Sequence, residues 1–213
     1  MTPLKKHGSV FHMLRRPLTF IFSCVTFLLV FSSISNAYDT SNVTITGTLL
    51  KNLTTENWLG LKTSSGHIYK LKSEDKEVMA TLQKLEDGDL ISGTGLLDNA
   101  TKFVALHSLT FIGLKRLLGF WWTSFGFAEI QTFSEMSFYQ PLLREAQKSY
   151  STKKSYQYSI SPSANTSWVV FLSDDKTVYY TSMEFNGASA SMKMYNPETG
   201  ALMKTIDFTR ISR

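Results

Sequence analysis

Thr177-Val-Tyr-Tyr-Thr-Ser-Met-Glu-Phe-Asn-Gly-Ala-Ser-Ala-Ser-Met-Lys-Met-Tyr195 is the stretch that decides the architecture of this chain. Residues of strand-forming type flank Asn186-Gly187 on both sides, and that dipeptide is a strong signal for a tight hairpin. The pattern extends in both directions as a meander. Residues 168–173 and 177–185 flank an Asp174-Asp175-Lys176 turn, and 189–195 form the next strand. Asn196-Pro-Glu-Thr-Gly200 carries Pro and Gly where a turn needs them, and 201–208 end the sheet. The meander starts at Tyr156, and residues 119–124, 127–133 and 136–142 supply three more strands upstream. The polar run 143–154 reads as an excursion or lid. About eight strands are enough to close a small up-and-down barrel.

A second module precedes this one. Residues 43–50 alternate apolar and hydroxyl side chains, and 57–62 and 67–72 follow as short strands around Thr63-Ser-Ser-Gly66. Val78, Met79, Leu82 and Leu85 then fall at helical spacing, with Ser73 placed to cap the start and Gly88 to stop the helix. Residues 90–97 and 102–111 read as two further strands across an Asp98-Asn99 turn. Gly93 and Gly95 lie in the first of these, where a small barrel bends tightly. Three strands, a helix and two strands is an order that resembles an OB-fold over residues 40–112. The resemblance implies a five-stranded barrel and a family that commonly binds oligonucleotides or oligosaccharides. Residues 38–112 hold seven Lys, no Arg and nine Asp or Glu, which argues against a nucleic-acid groove. Trp58 is expected in the barrel core, with a sugar-stacking platform as the alternative.

Leu117-Leu118-Gly119-Phe120-Trp121 resembles the Gly-x-Trp signature that opens the lipocalin barrel, and Arg210 matches in position the late arginine that packs over that tryptophan. The resemblance spans residues 114–213 and implies structural roles for Gly119, Trp121 and Arg210, with Trp121 as barrel floor. The segment lacks the Thr-Asp-Tyr motif and a C-terminal helix, so a compact lipocalin-like domain is the expectation. A hollow barrel would be lined by alternate residues, for which Trp168, Val170, Tyr180, Met192, Met194 and Phe208 are the candidates, with Val178, Leu172 and Ile206 beside them. Flexible methionines and aromatics suit a fatty or aromatic ligand. With about 100 residues for eight strands, a solid or only partly hollow core is favoured.

The first 37 residues carry a basic start (Lys5, Lys6, Arg15, Arg16), an apolar run over 18–31 and Ser35-Asn36-Ala37, the three parts of a secretory signal peptide. Lipid anchoring at Cys24 and retention of the run as an uncleaved anchor are the alternatives. The net charge of +5 falls to +1 once these residues are removed, and the sole cysteine goes with them. The basic balance therefore stops pointing to nucleic acid. Asn42, Asn52, Asn99 and Asn165 each begin an Asn-x-Ser/Thr triplet that could accept a glycan in a eukaryotic secretory pathway. The 120–127 aromatic cluster could lie at a membrane interface, though core aromatics at a strand start explain it better.

His67 and His107 stand alone, and no His/Cys/acid cluster has metal-ligand spacing. No nucleophile elbow or phosphate loop occurs. Asp174-Asp175 and Glu86-Asp87-x-Asp89 read as a turn and a helix end.

The sequence thus predicts a mostly β protein: 1–37 signal peptide, 38–112 OB-like domain, 113–213 lipocalin-like domain. It predicts no cofactor or metal and no nucleic-acid partner. The expected function is an exported, periplasmic or secreted, non-catalytic binding or envelope-interaction protein. Carriage of a small hydrophobic ligand in the second barrel is the first alternative, and a hydrolase the second. Membrane contact is confined to residues 18–31, if uncleaved, or the 120–127 cluster.

Overall fold

The computed structural model describes residues 42–51, 58–141, 150–163 and 165–211. The N-terminal targeting segment, Asn52 and most of the 143–154 run lie outside the described residues. Two closed barrels follow one another. The first comprises β1 (Asn42–Leu50), β2 (Leu59–Lys62), β3 (Ile68–Lys72), α1 (Lys76–Lys84), β4 (Leu90–Asp98) and β5 (Phe103–Gly113). Its strands close in the order β1-β2-β3-β5-β4. β3 and β5 pair in parallel and the other neighbours antiparallel. This order, with the helix between the third and fourth strands, is compatible with the OB-fold resemblance. Alternate residues of each strand point inward, as the period of two requires. Leu49, Leu61, Leu71, Ile91, Val104 and Leu106 meet Val78 and Leu82 of α1 in the core.

Local chemistry corrects the expected cap of α1. Asp75, not Ser73, is the N-cap: its Oδ1 accepts from the backbone N–H groups of Glu77 (2.8 Å) and Val78 (3.0 Å). Ser73 Oγ is already engaged, accepting from the Asp75 N–H, so the carboxylate takes the free donors of the first turn. The helix ends at Lys84, and Gly88 instead makes a left-handed turn at φ 92° ahead of β4. Trp58 is also not a core residue. It is half-buried immediately before β2, with the Lys70 ammonium 5.0 Å from its ring centre.

The second barrel comprises β6 (Gly119–Thr123), β7 (Gly126–Ile130), β8 (Glu135–Pro141), β9 (Tyr150–Pro162), β10 (Trp168–Ser173), β11 (Val178–Asn186), β12 (Ser189–Tyr195) and β13 (Leu202–Arg210). Every strand pairs antiparallel with its sequence neighbours, and β13 closes the ring on β6. This eight-stranded up-and-down barrel is compatible with the lipocalin-like resemblance. Strand β9 starts at Tyr150, so the end of the polar 143–154 run is barrel wall rather than excursion.

A single 3-10 turn, Lys115–Leu117, joins the barrels, and Leu114 and Leu117 are fully buried there. Asp89, itself buried, accepts from the N–H of Glu86 and of Lys115 at 2.7 Å each, tying the end of the helical loop to the link. Burial raises the Asp89 carboxyl above its ordinary value, and these two N–H donors oppose the rise. Lys84 donates to the backbone carbonyls of Ser163 and Asn165 in the β9–β10 loop. Arg116 pairs with Glu86 at 2.9 Å and lays its guanidinium 3.9 Å from the Phe185 ring centre. The first barrel therefore abuts the end of the second at which β6 begins and β13 finishes.

Candidate functional site

Strand alternation sorts the second barrel into a filled floor and an open mouth. Inward-facing residues are odd-numbered in β6 and β11 and even-numbered in the other strands. Near the first barrel, Trp121, Met136, Trp168, Val170, Met183, Met192 and Phe208 are each no more than 2 % exposed and leave a solid core. Trp121 donates Nε1–H to the Leu117 carbonyl at 2.8 Å and meets Phe208 edge to face at 6.2 Å. The Arg210 guanidinium lies 5.2 Å from the Trp121 ring centre and donates to the carbonyls of Arg116 (2.9 Å) and Leu118 (2.6 Å). Gly119 has φ 128°, and a Cβ there would come within 3.3 Å of Arg210.

At the opposite end the core gives way to a cavity of about 330 Å³. Phe138, Tyr156, Leu172, Tyr179, Met194 and Ile206 are among the residues that line it. The aromatic members contact edge to face: Phe138 with Tyr156 at 5.8 Å, and Tyr156 with Tyr179 at 6.3 Å. Lys153, Lys154 and Lys204 stand at the rim. Lys154 pairs with Asp174 at 3.2 Å, and Tyr156 together with Asp174 holds its ammonium above the usual lysine value. Lys204 differs. It shares the inward face of β13 with buried Ile206 and Phe208, and its ammonium lies 3.1 Å from the Phe125 ring centre. Desolvation lowers its pKa below the ordinary value.

The six residues nominated as barrel lining separate into three groups. Met194 lines the cavity. Trp168, Val170, Met192 and Phe208 lie in the solid floor beneath it. Tyr180 is outside the barrel, 42 % exposed, in an outer patch with Phe171 (5.8 Å) and Tyr195 (5.7 Å). Val178, expected beside it in the interior, is likewise exposed. The reason is parity. The hairpin turn is Gly187-Ala188, with Asn186 opposite Ser189. A two-residue turn pairs odd with even numbers, so Thr181 faces Met194 and Met183 faces Met192. The even-numbered residues of β11 must then point away from both methionines.

Tyr179, Phe138, Tyr156 and the two inward lysines are the wall residues that sequence reasoning missed. Tyr179 follows from the correct turn parity, whereas the others require the register of β8, β9 and β13. The 120–127 aromatics divide between faces: Trp121 is core, Trp122 and Phe125 are exposed, and Phe127 stacks on Tyr139 at 4.4 Å outside. Among the described residues no three His, Cys, Asp or Glu converge as a metal site, and no helix is long and apolar enough to cross a membrane. Comparison of the chain with protein-family models, with curated proteins and with solved structures returns no match.

Proposed function

We propose that this is an exported, non-catalytic binding protein that holds a small, mostly apolar ligand in the mouth of its second barrel. The observation that carries the reading is the 330 Å³ cavity with aromatic and aliphatic walls above a closed floor. Ligand pockets are typically concave and apolar with a few placed polar groups. The first barrel is read as an OB-like module that braces the floor, and the second as a compact lipocalin-like domain. The basic-apolar-small pattern of residues 1–37 supports export. We assign no catalytic residue.

Titration with N-phenyl-1-naphthylamine, a neutral apolar fluorophore, tests the reading. Saturable one-to-one binding is expected, and Met194→Trp, which fills the mouth, should abolish it. Absence of saturable binding to the unaltered protein would sink the idea. A second reading, docking of an envelope protein, is favoured by the exposed patch of Phe171, Tyr180 and Tyr195. Pull-down from envelope extract should then recover a stoichiometric partner that Tyr180→Ser loses, and recovery of none counts against it.

A further inference from the structure

We propose that the mouth selects a singly charged anionic amphipath, with its carboxylate on the Lys204 ammonium and a medium-length hydrocarbon chain against Tyr156, Leu172, Tyr179 and Met194. This rests on the ligand-binding reading above and adds the chemical class and size of the ligand.

The charge comes from the placement of two lysines. Lys154 and Lys204 both lie on inward-facing positions of their strands at the rim. The Lys154 charge is met by Asp174 at 3.2 Å. Lys204 has no carboxylate within ion-pair distance among the described residues, and its near neighbours are the Phe125 ring and, in register on β12, Met194. A cation turned toward apolar surface without a counter-ion is costly, and the cost is recovered when an anion binds beside it. Lysine is a compact point charge rather than a fork. Lys153, the third rim lysine, also has no carboxylate within ion-pair distance among the described residues, but it belongs to the outward-facing set of β9, with its ammonium 6.0 Å from the Tyr139 ring centre. One unmatched inward-facing point charge fits a monoanion, whereas a phosphate dianion would need a second free cation on that face.

Length follows from the floor. β13 runs from Lys204 at the rim to fully buried Phe208, four residues deeper. At ~3.3 Å per residue and the usual barrel tilt, this is roughly 10 Å of depth, room for roughly eight extended methylenes. A sixteen-carbon chain would leave its tail in water.

Competition against N-phenyl-1-naphthylamine, with each competitor below its micelle concentration, separates the possibilities. Decanoate should displace the probe at about tenfold lower concentration than decanol. That advantage should shrink as salt is raised. Hexadecanoate should gain nothing over decanoate, although each buried methylene would otherwise tighten binding. Lys204→Met should lose the preference, displacing the probe with decanoate no more readily than with decanol. Lys204→Arg should keep it, which guards against a folding defect in the methionine variant. Equal displacement by decanol and decanoate, tighter binding of decyl phosphate, or an unchanged preference in Lys204→Met overturns the proposal while leaving the apolar mouth as a binding site. Failure of the probe and every competitor to bind overturns both.

Discussion

Gly93→Ala should be among the most damaging single-methyl additions to this protein. Strand β4 carries Gly93 and Gly95 on its inward face, each opposite an extra residue of β5: the register skips Thr110 at Gly93 and His107 at Gly95. These bulges coil β5 tightly around the first barrel, and its backbone fills the space that side chains would take. A Cβ on Gly93 would lie 2.0 Å from the Ser108 carbonyl oxygen, and one on Gly95 2.3 Å from that of Ala105. Carbon and carbonyl oxygen need about 3.3 Å, so β5 would have to retreat by more than an ångström. That movement adds overpacking to the loss of about two ladder hydrogen bonds, together roughly 3–5 kcal/mol. The loss in Tm is then about 10 °C at ~2–4 °C per kcal/mol. Gly66→Ala is the control: φ is +84° but nothing lies within 4 Å of the added Cβ, so only the left-handed backbone cost of about 1–2 kcal/mol applies. Urea denaturation and calorimetry of the purified variants measure both. A Gly93→Ala loss no greater than that of Gly66→Ala would refute the steric account of barrel closure.

Other outcomes follow from the same geometry. Arg210→Ala removes two charge-assisted hydrogen bonds and the stack on Trp121, and because the site is exposed it should cost about 1–3 kcal/mol by urea melt. Arg210→Lys should fall between the variant and the parent. Met183→Ala, in the solid floor, should cost about 2–5 kcal/mol, whereas Tyr180→Ser on the outer face should stay within about 1 kcal/mol. The opposite ranking would refute the assigned hairpin parity. Burial raises the native Asp89 pKa above the ordinary 3.8, so the folded state holds that proton more tightly than the unfolded chain. Its contribution to stability is full below the ordinary value and is lost as pH rises through the native one. Stability of the parent relative to Asp89→Asn should therefore decline with rising pH across that window, and a rise would contradict the buried placement.

Both barrels were readable in the sequence because their strands are short, alternating and punctuated by specific turns. The strands Trp168–Ser173 and Ser189–Tyr195 occur within the bounds their turn residues mark, and the switch from period two to helical spacing at Val78 locates α1. The binding mouth was readable only in outline. Met194 follows from its strand pattern, but Tyr180 lies on the face opposite to the one its pattern suggests, because a strand's period of two makes every side-chain direction hang on one turn residue. Asn186 proved to be the last paired residue and Gly187 the first of the turn.

The sequence alone determines which residues alternate, where the chain turns, and that a basic and apolar segment precedes a nearly neutral pair of β modules. Local propensity and pattern suffice for that, since each strand and turn is specified by neighbours in the chain. Only the tertiary structure decides that β13 closes on β6, that Trp121 and Phe208 seal one end, and that Lys204 reaches over the other without a carboxylate partner among the described residues. Those relations join residues far apart in the chain, and strand register and ring closure, not local preference, bring them together.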